Sequence, residues 1–145
     1  MNRVSKKTAA RNAAVALFRK QLVQEIGYCE LCNHNPRRMR FGQIAWRLDV
    51  HEIANGPNRQ KALDKRFAVL VVCRACHMDR LSSRAEWPEA RQLAALRRSR
   101  PRDYSLEKYL ETFYPNAPER ITEEEVMAWI NRPLNMERIG TCKSQ

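Results

Sequence analysis

The chain has 145 residues and a net charge of +11, from 27 Lys and Arg against 16 Asp and Glu. Its hydrophobic fraction of 43% is enough for one packed core. The mean hydropathy of −0.66, with no run of about 18–20 apolar residues, argues against a membrane-spanning helix. No apolar segment follows the basic N-terminus, so we expect no secretory signal and a cytoplasmic location.

The basic residues are concentrated in the first 100 positions. These positions hold 21 Lys and Arg against eight Asp and Glu, whereas residues 101–145 hold six against eight. This charge distribution indicates a polyanionic partner, for which double-stranded DNA is the simplest candidate, and it does not indicate a membrane. A basic isoelectric point that serves only solubility is the alternative.

The first predicted element is a basic amphipathic helix within residues 1–27. Its apolar residues recur at three- and four-residue spacing and are Val15, Phe18, Leu22 and Ile26. The helix is predicted to begin near Thr8 and to end before Gly27, because glycine readily adopts the left-handed conformation that closes helices. We expect it to pack against the segment that follows.

Two Cys-x-x-Cys pairs come next, Cys29–Cys32 and Cys73–Cys76, with 40 residues between them. In a reducing compartment such pairs are more often metal ligands than disulfides. Four thiolates complete a tetrahedral shell, so we predict a structural Zn²⁺ site with no open coordination position. The fifth cysteine, Cys142, is assigned no role.

The residues between the two pairs predict a basic loop followed by two strands. The candidate phosphate ligands of the loop are Arg37, Arg38 and Arg40. Ile44–Ile53 has strand character with partial alternation, and Phe67–Val72 is a continuous apolar, β-branched run that leads into the second cysteine pair. With a helix expected from His77 onward, residues 28–82 form a ββα unit.

The last segment, residues 83–145, is predicted to be helical. The expected helices are about Pro88–Arg98, Leu106–Phe113 and Glu123–Asn131. Ser105 is the expected N-cap of the second, and Thr122 with Glu125 forms a capping box for the third. The predicted fold class is therefore α+β: a small zinc-bound ββα core flanked by an N-terminal helix and two or three C-terminal helices, in one compact domain.

A second group of residues accompanies the predicted zinc site. His77 directly follows the last cysteine, and strand alternation would put Asp49 and His51 on one face, away from the core. With the cysteine pairs held by zinc, the two histidines and either Asp49 or Glu52 would form an open site for Mg²⁺ or another divalent cation. Such a site suits phosphodiester hydrolysis, because the cation neutralises the scissile phosphate while a base activates water. Two ordinary surface histidines are the alternative.

These residues together resemble the HNH endonucleases, which have the ββα-metal (His-Me finger) fold. The resemblance covers Tyr28–Leu81, is most specific at Val72–His77, and is to the branch with a four-cysteine zinc site and to its small phage-type members. It implies a phage-encoded DNA endonuclease or nickase. In the family, a histidine at the end of the first strand is the general base, and the residue before it and the histidine after the last cysteine hold the cation.

The strand end departs from the family pattern, since it contains Val50-His51-Glu52. In one register His51 is the base, and Val50 leaves the ligand position empty unless Asp49 takes it. In the other register His51 and His77 are ligands and Glu52 is the base or a third ligand. The second register is preferred, because a carboxylate can also accept a proton from water.

A second departure concerns the asparagine that orients the base in the family. Its usual position falls near Ala68, so Asn55 or Asn58 would have to replace it from the loop, and Arg59 would bind the scissile phosphate. The residues expected to contact nucleic acid are Arg37, Arg38, Arg40, Asn58, Arg59 and Arg74. The favoured function is a metal-dependent endonuclease. The alternatives are a zinc-stabilised nucleic-acid-binding protein without cleavage and a zinc scaffold whose acidic C-terminal helix binds a protein.

Overall fold

The computed structural model describes residues 5–33, 35 and 47–132. In this part the chain is α+β, with a two-stranded antiparallel sheet and several helices, as the sequence predicts. The strands are β1 (Leu48–Glu52) and β2 (Val69–Cys73), and the helices are α1 (Lys6–Ile26), α2 (Arg59–Ala62), α3 (Glu89–Ser99), α4 (Leu106–Phe113) and α5 (Glu123–Asn131). None of the helices in the described residues combines the length and apolar composition that crossing a bilayer requires.

Helix α1 is defined by its two caps. The helix begins at Lys6, before the predicted start near Thr8, because the Ser5 side chain accepts a hydrogen bond from the Thr8 N–H. Gly27 closes the helix at φ 73°, as predicted.

The apolar contacts of α1 come from its C-terminal part, where Leu22 is buried against β1 and β2. Residues 6–14 are all exposed, and Arg11 joins this part of the helix to α2 through a hydrogen bond to the Gln60 carbonyl.

The sheet is covered on both faces. In the antiparallel register Val50 pairs with Val71 and His51 with Leu70. Val69 and Val71 pack with Leu22 of α1, whereas Leu70 lies in the larger cluster formed with the C-terminal helices. This explains why every residue of β2 is buried and why its sequence is continuously apolar.

Helices α4 and α5 begin at the N-caps that the sequence predicts. Ser105 caps α4 through Lys108 N–H, and Thr122 and Glu125 form the complete capping box of α5. Helix α3 packs extensively against α5. The buried carboxylate of Glu89, at the start of α3, accepts hydrogen bonds of 2.7 and 2.8 Å from the hydroxyls of two tyrosines. These tyrosines are Tyr109 and Tyr114.

The segment after the second cysteine pair differs from the expected helix. Cys76–Arg80 forms a single π-helical turn, closed by a 3.1 Å bond from Leu81 N–H to the Cys76 carbonyl. The serines that follow favour turns over helix, since the Ser82 hydroxyl donates to the carbonyl of Asp79. The next α-helix begins only at Glu89. The predicted start of the first strand at Ile44 lies outside the described residues.

A buried ion pair joins the first cysteine turn to the end of α3. Glu30, between the first two cysteines, has a side chain that is 0% exposed and accepts hydrogen bonds of 2.7 Å from Arg100 Nε and 2.6 Å from Ser99 Oγ. It also accepts a 2.6 Å bond from Val71 N–H, while its own N–H donates to the Val71 carbonyl. The outer edge of β2 is therefore paired with Glu30 and not with solvent.

We expect Glu30→Ala to lower the free energy of unfolding by about 3–5 kcal/mol, because it leaves the buried Arg100 guanidinium with Asp103 as its one carboxylate partner among the described residues and removes the acceptor of its Nε–H. Urea titration of the zinc-loaded protein measures the change. The control is Glu111→Ala, which removes an exposed carboxylate of α4 and should change stability by no more than about 0.5 kcal/mol. Equal urea midpoints for the two variants would contradict the role given to Glu30.

Candidate metal centre and adjacent histidines

The four predicted zinc ligands come together in the structure. The sulfurs of Cys29, Cys32, Cys73 and Cys76 all lie within 4.8 Å of one another, and three of the four residues are buried. Cys29 and Cys32 belong to a turn that ends at Asn33, which adopts a left-handed φ of 59°. The second pair begins with Cys73, the last residue of β2, so the sheet positions that pair. The contacts of Glu30 with Val71 hold the first pair against the sheet.

The spacing of the sulfurs fits a tetrahedral metal ion. At a Zn–S distance of about 2.3 Å, two thiolates of a tetrahedral site lie about 3.8 Å apart. Cys32 Sγ and Cys73 Sγ are separated by 3.8 Å, far beyond the ~2.05 Å of a disulfide, and none of the four cysteines forms a disulfide. The cluster could therefore hold a metal ion such as Zn²⁺, with the four sulfurs as its ligands.

Contacts between the sulfurs also favour the thiolate form at two positions. Hydrogen bonding with Cys32 lowers the pKa of Cys29 to about 7. Hydrogen bonding with Cys29, and then with the other sulfurs, lowers the pKa of Cys73, which also accepts a 3.4 Å bond from the backbone N–H of Cys76. Thiolates are the form that binds zinc. The same contacts raise the pKa of Cys32 and Cys76, so the fit to zinc rests on the spacing of the four sulfurs.

A looser group of three residues lies beside the cysteines. Asp49 Oδ2 is 3.6 Å from His77 Nδ1, and the rings of His51 and His77 meet edge to face with centroids 5.1 Å apart. Asp49 and His51 share one face of β1, as predicted, but that face is not directed away from the core: His51 is buried against α3. Asp49 also contacts Arg47, at 3.4 Å.

Gln92 of α3 sets the protonation of the His51 ring. The Gln92 amide donates to the Trp87 carbonyl at 2.8 Å, which turns its Oε1 toward His51 Nε2 at 3.0 Å. Nε2 is then the protonated nitrogen and Nδ1 carries the lone pair. Nδ1 is buried and has no hydrogen-bond partner among the described residues. Burial lowers the pKa of His51 to about 4, although the Gln92 bond opposes this, so the ring is neutral at pH 7.

The structure does not bring Glu52 to these residues. Consecutive strand residues point to opposite faces, and Glu52 lies on the α1 side of the sheet, where Arg19 donates to Oε1 and Arg59 Nη2 lies 3.3 Å from Oε2. Burial raises the pKa of Glu52. Its own backbone N–H and the charges of the two guanidiniums lower the pKa by more, so the net pKa lies below the ordinary value. A carboxylate held in this way is a poor proton acceptor at neutral pH.

The remaining predicted nucleic-acid contacts are distributed differently. Arg59 and Arg74 are exposed. Asn58 is occupied in packing, because its Nδ2 donates to the Phe113 carbonyl at 3.1 Å and thereby ties the loop before α2 to α4. Ala68, near the position at which the resemblance to HNH endonucleases would place an asparagine, is completely buried. The three arginines of the loop, Arg37, Arg38 and Arg40, lie outside the described residues.

Sequence reasoning missed Gln92 and Arg19. Gln92 shares a helical face with Glu89 and Leu96, so a polar residue on a buried stripe was a signal that could have indicated an internal hydrogen bond. Arg19 gave no such signal, because the strand residue that α1 would contact is not encoded locally. Among the described residues, the four cysteines are the only group of three or more His, Cys, Asp or Glu with ligand atoms within 4.8 Å.

Comparison with known proteins adds no further assignment. No protein-family model matches the chain, and neither a curated protein nor a solved structure matches it. The chemistry of the site therefore depends on its own residues: a cysteine cluster of zinc geometry and, beside it, two histidines and an aspartate.

We expect the purified protein to contain about one zinc ion per chain and Cys73→Ser to lose it, because a three-thiolate shell holds zinc less well. Elemental analysis measures the metal, and a lower thermal midpoint should accompany its loss, since metal binding contributes to folding. Cys142→Ser is the matched control and should keep both the zinc and the midpoint. Equal zinc contents in the two variants would contradict the assignment of the cysteines.

Proposed function

We propose that the protein is a metal-dependent endonuclease that hydrolyses DNA phosphodiester bonds through a ββα-metal site of the HNH type. The observation that carries the proposal is the state of His51: neutral, fixed by Gln92, with a buried Nδ1 that has no partner among the described residues. A histidine oriented through its other nitrogen is the usual arrangement of a metal ligand. The nearby His77 and Asp49 supply the other donors that such a site needs.

The proposed roles follow from these positions. His51 and His77 would hold Mg²⁺ or another divalent cation, which supplies positive charge to the scissile phosphate and the leaving oxygen. Asp49 is the carboxylate of this group, and we assign to it the acceptance of a proton from the attacking water. The cysteine cluster, as a closed Zn²⁺ site, keeps β1 and the turn that carries His77 in register.

A second candidate function is nucleic-acid binding without cleavage by a zinc-stabilised HNH-like fold. The position of Glu52 favours it, because Arg19 and Arg59 neutralise the residue that would otherwise be the base. The buried alanine at the asparagine position favours it too, since Ala68 cannot orient a base. The two candidates share the fold and the partner and differ only in whether the bond is cut.

A nicking assay separates them. We expect the purified protein to nick supercoiled plasmid when Mg²⁺ or Mn²⁺ is added, and His77→Ala and Asp49→Asn to lower the rate by about 10²–10⁴-fold while DNA affinity stays within a few-fold. Asp79→Asn is the matched control, because Asp79 is an exposed carboxylate of the same turn as His77, and it should nick at the wild-type rate.

Other outcomes assign the chemistry differently. Nicking by His77→Ala at the wild-type rate would contradict the proposed endonuclease site. DNA binding without nicking under any cation would support the second candidate. Loss of nicking in Glu52→Gln, with Asp49→Asn fully active, would give the base to Glu52.

A further inference from the structure

The face of α1 that meets α2 carries a set of cations beside the carboxylate of Glu52. We propose that this basic face binds the phosphate backbone of duplex DNA, and that Glu52 is a positioning residue that holds two of its arginines. The residues of the basic face are Lys7, Arg11, Arg19 and Arg59. The inference rests on the proposed function in that the partner is DNA, but it does not depend on cleavage.

Glu52 is built into the protein as a clamp for two guanidiniums. Its side chain is 7% exposed and each of its oxygens contacts one arginine, whereas the side chains of Arg19 and Arg59 are 31% and 57% exposed. The buried carboxylate thus offsets the repulsion between two cations that both reach the surface. Each guanidinium has five N–H donors and contacts Glu52 through a single Nη2, which leaves the pair with donors and a net positive charge for a phosphate.

The exposed half of α1 extends this charge along the helix. At 100° per residue, Lys7 lies about 40° to one side of Arg11 and Arg19 about 80° to the other, so the three share one side of the helix. That side meets α2, because Arg11 Nη2 donates to the Gln60 carbonyl at 2.7 Å. Lys20, nine residues after Arg11, lies about 180° away on the opposite side.

In the described part of the chain, the acidic residues nearest in sequence to the basic face, besides Glu52, are Glu25 and Asp64. The first acidic residue after the N-terminus is Glu25, in the last turn of α1, and none occurs from Ile53 to Leu63. The basic face therefore has four cations against one buried carboxylate. Arg11 and Arg19 are about 12 Å apart along the axis of α1, a length over which duplex DNA presents about seven phosphate charges. Charge and dimension thus both suit a duplex backbone.

The experiment measures binding of the full-length, zinc-loaded protein to a fluorescein-labelled 20-bp duplex by anisotropy, without added divalent cation, between about 50 and 200 mM salt. We expect Arg11→Ala, Arg19→Ala and Arg59→Ala each to reduce the slope of log affinity against log salt by about 1. Lys20→Ala is the matched control, since it removes one cation from the opposite side of the same helix, and it should keep the wild-type slope. Zinc content confirms that each variant is folded, and Arg11→Ala leaves the Glu52 clamp intact.

The outcomes distinguish this inference from the proposed function. If the wild type binds DNA and the three arginine variants have the same salt slope as Lys20→Ala, the basic face is not the DNA-binding surface, and the proposed function is unaffected. If the wild type does not bind duplex DNA at all, both are overturned. A slope reduced in the arginine variants alone supports the basic face, whether or not the protein nicks plasmid.

Discussion

The rest of the structure depends on the meeting of four sulfurs from two distant parts of the chain. Cys29 and Cys32 belong to a turn directly after α1, whereas Cys73 ends β2 and Cys76 begins the π-helical turn that follows. A two-stranded sheet is marginally stable alone, so the contact between the two cysteine pairs and the packing on both faces stabilise β1 and β2. Because β1 is held by β2, everything that β1 carries, from Asp49 to Glu52, is positioned by the same constraint.

The two faces of β1 carry different functional groups. His51, buried toward α3, has a neutral ring with one nitrogen fixed by Gln92. Glu52, one residue later, faces α1 and holds two arginines. Alternation along a strand thus separates a candidate metal ligand from a candidate phosphate-binding surface, although the two residues are adjacent in sequence. A substitution on one face should therefore leave the other face largely undisturbed.

Local signals predicted most of the described fold, and long-range contacts account for what was missed. The caps at Gly27 and Thr122 act within a few residues, and the Cys-x-x-Cys spacing by itself indicates metal binding, so these features could be predicted from the sequence. The burial of His51 depends on where α3 packs against the sheet, and the ion pair of Glu52 with Arg19 depends on where α1 packs. Neither position is encoded near the strand itself, which is why alternation gave the correct face for Asp49 and His51 but not its burial.

The composition of α1 has a consequence for how the protein would meet a long polyanion. Five alanines between positions 9 and 16 give the exposed half the residue with the best intrinsic helix propensity. Packing around Leu22 holds the C-terminal half of α1 in helical form. The unfavourable nucleation step is therefore complete, and the turns before it need only propagate the helix. The basic side chains are then carried on a preformed rod and not on a coil that must order as it binds, which removes a large entropic penalty from association.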